Sequence, residues 1–66
     1  MAGLTQAELM QLREDLTNEL LMIKKFGFYA EEASDPQVRQ LLNNVRETHE
    51  RHRDILMRHL NAGTTM

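Results

Sequence analysis

The chain lacks cysteine altogether and has one proline, three glycines and only 5% aromatic residues among its 66 positions. Without cysteine there is no disulfide framework and no thiolate metal site. A single proline and few glycines leave little material for turns, so long elements with few breaks are expected. Basic charge is also short: Lys and Arg total 8 against 10 Asp and Glu, a formal net charge of −2. That balance offers no cationic surface for nucleic acid. Long apolar runs are missing too. The longest, Leu20-Leu21-Met22-Ile23, is far short of a membrane span. The residues Met1–Thr5 have neither the basic start nor the apolar stretch of a signal peptide, so the expected address is the cytoplasm. A chain this short buries a small fraction of its surface when folded alone. Small domains usually recruit disulfides, a metal or a partner chain, and only the last two remain open here.

What is present is helical. Thr5-Gln6-Ala7-Glu8 reads as a capping box, with Leu4 and Leu9 spaced as a hydrophobic staple around it. Good helix formers follow to about Glu32, with Gly27 the weak link. The break is Ala33-Ser34-Asp35-Pro36-Gln37. Proline suits the first turn of a helix, and Ser34 or Asp35 can cap it. The second helix is expected from about 36 to 60, with Asn61 and Gly63 as stop residues and a frayed tail over 61–66. A single unit over 1–66 results: helix 1 about 5–32, a turn at 33–35, helix 2 about 36–60. So short a connection forces the helices antiparallel.

The apolar seam has polar residues in it. Helix 1 repeats at heptad spacing through Leu9, Leu12, Leu16, position 19, Ile23, Phe26 and Ala30, and position 19 is Glu19. Helix 2 repeats through Val38, Leu42, Val45, position 49, position 52, Leu56 and position 59, and those three are His49, His52 and His59. Level along the axis follows from counting. With the turn centred at residue 34, Glu19 lies fifteen positions before it and His49 fifteen after. His52 is one turn further along the same face. Glu19, His49 and His52 should therefore meet at the middle of the hairpin. Glu and His projecting inward from facing helices is how dimetal sites are built in bundles. Imidazole and carboxylate suit a divalent transition metal such as Zn, Fe or Mn. The same residues admit other readings: histidines satisfied by a carboxylate without metal, or a buried polar layer that sets register.

Other residues carry less. His59 stands in the last turn of helix 2, where a charged imidazole favours the helix dipole or simply meets water. Phe28 and Tyr29 are expected to pack near the turn, the Tyr29 hydroxyl alternatively reaching a partner's polar layer. Met10, Met22 and Met57 read as core or interface filler. Arg46–Glu50 and Glu47–Arg51 are i,i+4 pairs. No nucleophile–base arrangement or phosphate-binding loop is present, so an enzyme is not expected.

Three stretches together resemble a known family: Glu19-Leu20-Leu21-Met22-Ile23-Lys24-Lys25-Phe26-Gly27-Phe28-Tyr29, the turn Ser34-Asp35-Pro36 with Leu41-Leu42, and Glu47-Thr48-His49-Glu50-Arg51-His52-Arg53-Asp54-Ile55-Leu56. They are similar to the spore coat protein F family, within the ferritin-like superfamily, over about residues 5–60. The resemblance implies a ferritin-like four-helix bundle. Family members often hold two hairpins in one chain; this chain supplies one, so a homodimer is implied. In ferritin-like dimetal proteins one helix gives a Glu and the next a Glu-x-x-His. Glu19 matches the first and His52 the motif histidine, but His49 stands where the motif has its Glu. That exchange removes a bridging carboxylate and argues against iron-oxidase chemistry. Two functions are thus expected in parallel. One is a coat-F-like structural or interaction protein, placed in the spore coat if the source forms spores, with other coat or structural proteins as partners. The other is a small bundle binding a divalent metal through Glu19, His49 and His52 of two chains.

Overall fold

The computed structural model describes residues 3–64 and contains two helices, α1 over Gln6–Glu32 and α2 over Pro36–Thr64. The fold class is all-α, an antiparallel hairpin, as the spacing predicts. The start of α1 is the capping box: Thr5 Oγ1 accepts from the Glu8 backbone N–H at 3.1 Å, and Glu8 Oε1 accepts from the Thr5 N–H at 2.9 Å. The chain leaves α1 at Ala33, whose N–H donates to the Tyr29 carbonyl. Asp35, not Ser34, then caps α2. Its Oδ1 accepts from the backbone of Gln37 at 2.7 Å and Val38 at 3.2 Å. Arg39 adds a tie that the sequence does not announce. Its guanidinium donates twice to the Ala33 carbonyl, at 2.8 and 3.2 Å, fastening the start of α2 to the end of α1.

The far end departs from expectation. α2 does not stop near Leu60 but continues to Thr64. Gly63 lies within the last turn of α2, and a β-carbon on it would collide with the Leu4 side chain. Glycine serves close approach at this point rather than termination. Leu4 thus packs on α2, whatever staple it forms with Leu9. Thr65 and Met66 of the expected tail lie outside the described residues.

The core is thin. Among the described residues Ala30 alone is buried. The α1 seam holds as counted: Leu9, Leu12, Leu16, Glu19, Ile23 and Phe26 are all partly buried. The α2 seam holds through Leu42, Val45, His49 and Leu56, but His52 in its middle is exposed and the ends depart as well. Val38 and His59 are exposed, and Leu60 takes the inward place assigned to His59. A strict seven-residue repeat drifts about 20° per heptad in a straight helix. The α2 stripe leaves the contact line at Val38, His52 and His59, while the α1 stripe of the same length stays on it. Phe28 and Tyr29 do not pack into the turn end, and Met10, Met22 and Met57 do not enter the core; all five are exposed. The molecule is a rod of 49 × 15 × 11 Å. Its radius of gyration is 15.1 Å, where a globular chain of this length would have about 11 Å.

Candidate functional site

The polar residues of the seam meet as counted. Glu19 projects from the middle of α1 between two histidines of α2. His49 Nδ1 lies 2.6 Å from Glu19 Oε1, and His52 Nδ1 lies 2.9 Å from Glu19 Oε2. Each carboxylate oxygen has one imidazole. Separations of thirty and thirty-three residues along the chain make these bonds the tertiary tie of the central turn. His49 and His52 share one face of α2 because residues three apart lie on neighbouring turns. Their rings meet edge to face, with centroids 5.9 Å apart.

The environment is graded. Glu19 is 14% exposed, His49 23% and His52 51%, so the site runs from the interior to an open side. Burial pushes the Glu19 carboxyl upward. Hydrogen bonds from His49 and His52, with the charge those rings carry when protonated, outweigh it and hold the group below its ordinary value. Glu19 is therefore an ionised acceptor. An ionised carboxylate offers no proton, so the Nδ1 atoms facing it are the N–H donors. In a neutral imidazole of that tautomer, Nε2 keeps a free lone pair.

Phe26 supports His49 from behind, its ring nearly parallel at 16° and 5.8 Å between centroids. The heptad step from Glu19 to Phe26 carried that signal, since both lie on the seam of α1. A groove of about 400 Å³ opens beside His52, lined by Asp15, Asn18, Glu19, Ile55 and Leu56. Asp15 is the acidic residue the seam count missed. It sits one turn before Glu19, and its Oδ1 accepts from Gln11 Nε2 at 2.9 Å. An i,i+4 pair of carboxylates was the available clue.

Glu19, His49 and His52 each offer one ligand atom, and those atoms lie within 4.8 Å of one another. Two imidazoles and a carboxylate form a donor set that fits a borderline divalent ion such as zinc or iron(II). His59 is exposed and takes no part in the cluster. Of the two expected ion pairs, Arg46–Glu50 forms at 3.1 Å. Arg51 instead donates to Thr48 Oγ1 at 3.0 Å, leaving the Glu47–Arg51 pair unmade. No helix among the described residues is long and apolar enough to cross a membrane. Comparison with protein-family models, curated proteins and solved structures finds no match to this chain.

Proposed function

We propose that this chain is a structural and interaction module, a hairpin that acquires its core by pairing with a second copy into a four-helix bundle. The observation that carries this reading is the near absence of a core: among the described residues Ala30 alone is buried, while Met22, Leu41, Ile55 and others stay exposed. Such a chain gains most from covering apolar surface. The Glu19–His49–His52 layer sits at mid-length, where it acts as a register device: sliding one helix against the other breaks both hydrogen bonds. The coat-F resemblance of the stretches around Glu19–Tyr29 and Glu47–Leu56 supports use in a spore protein layer, with other coat proteins as further partners. No catalytic step is assigned. Small-angle scattering tests the pairing. A mass of twice 7.7 kDa with a broadened cross-section is expected, and single-hairpin scattering at millimolar concentration overturns it.

A second reading rests on one observation, the three ligand atoms within 4.8 Å. Glu19, His49 and His52 would hold a divalent ion that contributes folding free energy as a structural metal does. Metal analysis after growth in supplemented medium tests it, with Glu19→Ala and His52→Ala as controls. Bound Zn, Fe or Mn that both substitutions abolish is expected. Absence of metal, with melting unchanged by added ions, sinks this reading and leaves the first intact.

A further inference from the structure

The hairpin has two flanks where the helices meet, and they differ in chemistry. On the flank that opens at His52, α2 presents Val38, Leu41, Val45, Thr48, His52 and Ile55, spaced 3-4-3-4-3. α1 presents Gln11, Asp15, Asn18, Met22, Lys25 and Tyr29, spaced 4-3-4-3-4. Both are unbroken heptad stripes, the pattern of helices that face other helices. Asp15 and Lys25 are the only fully charged residues on them, and Lys25 Nζ lies 5.8 Å over the Tyr29 ring. The groove lined by Asp15, Asn18, His52 and Ile55 places the two stripes on one side of the molecule. The other flank is charged. It carries Lys24 and Glu31 on α1, with Arg39, Arg46, Glu50 and Arg53 on α2, and only Leu20 and Met57 as exposed large apolar residues among them.

The amount of surface agrees with an absent partner. The chain exposes 5155 Å², whereas a compact monomer of its mass would expose about 4,300 Å². The excess, roughly 800 Å², comes from the rod shape and is as large as one partner's share of an interface of standard size. The neutral flank supplies apolar side chains for it: Leu41 is 60% exposed, and Met22, Tyr29, Val38 and Ile55 are exposed too.

We infer that a second copy of this chain docks on the neutral flank, against Met22, Tyr29, Leu41 and Ile55, and closes the open side of the Glu19–His52 bond. This deepens the pairing proposed above by naming the face. With a two-fold axis across the rods at mid-length, Asn18, Thr48 and His52 would stand opposite their own copies. The charged flank stays in water.

Paired variants test the face. Leu41→Glu with Ile55→Glu should weaken association by at least about thirtyfold, the scale of one hot-spot residue. Leu20→Glu with Met57→Glu on the charged flank, and Leu21→Glu on the back of α1, should leave it unchanged. All these positions are exposed, so helix content by circular dichroism should be retained. A second readout uses the cysteine-free background. Thr48→Cys should form a covalent dimer on mild oxidation, and Glu50→Cys, at the same height on the other flank, should not. Dissociation by Leu21→Glu or by the Leu20/Met57 pair, or cross-linking through Glu50→Cys alone, overturns the assigned face while pairing itself stands. A wild-type chain that stays monomeric overturns the pairing and this inference with it.

Discussion

The seam between the helices and the neutral flank beside it make an instructive pair. The seam is where a hairpin should be most apolar, yet its middle turn holds Glu19, His49 and His52, joined at 2.6 and 2.9 Å. The flank should be wet, yet it carries Leu41, Ile55, Met22 and Tyr29. Directional polar bonds fix which residues stand at the same height, and non-directional apolar surface is left over for association. In the proposed pairing, alignment and cohesion fall to different surfaces of one small rod.

The widest separation of the two roles comes from dilution. If the flank supplies cohesion, the melting temperature rises with protein concentration, because association stabilises by mass action. Leu41→Glu with Ile55→Glu should remove that dependence and cost about 2 kcal/mol or more at the higher concentrations. Calorimetry across a hundredfold concentration range checks it. Next in size is the seam. Glu19→Ala leaves two imidazole N–H groups without their acceptor and should destabilise by roughly 1–3 kcal/mol in urea titrations. Glu19→Gln, which keeps an acceptor oxygen, should cost less.

Acid should act on the seam through Glu19. The folded pKa of Glu19 is depressed, so its contribution is fully present above the ordinary carboxylate value and is lost as pH falls through the folded one. Glu8, lowered by its hydrogen bonds at the Thr5 cap, works in the same direction. Melting temperature should therefore drop on acidification below about pH 4.5, where carboxylates ordinarily titrate. The drop should be shallower in Glu19→Gln.

Two smaller effects concern the charged flank. A β-carbon at Gly27 would sit 3.4 Å from Arg46 Cδ, a flexible side chain that can yield. Gly27→Ala should stabilise by about 0.5–1 kcal/mol through helix propensity. Arg46→Ala removes the Arg46–Glu50 pair and should cost only a few tenths of a kcal/mol. Chemical denaturation resolves the first, and a double-mutant cycle with Glu50→Ala the second.

The polar cluster was legible because it depends on counting alone. An antiparallel hairpin with a three-residue break has one height for each residue, so Glu19 opposite His49 follows from position. Asp15 escaped because it lies off the seam, on the wall of a groove that exists only once both helices are placed. The ends of α2 escaped for two reasons. A strict heptad overstates how long one stripe stays in contact, so Val38 and His59 were assigned inward. Gly63 reads locally as a stop, and only the Leu4 side chain packed against it explains a glycine inside the helix. The Arg39 bonds to Ala33 likewise join residues six apart through a turn whose shape no propensity specifies.

The central claim is that a second copy completes the core. Sedimentation equilibrium of the wild-type chain between micromolar and millimolar concentration tests it most directly. The account predicts a species of twice 7.7 kDa that dissociates on dilution. A constant mass of 7.7 kDa with full helicity throughout that range would contradict it.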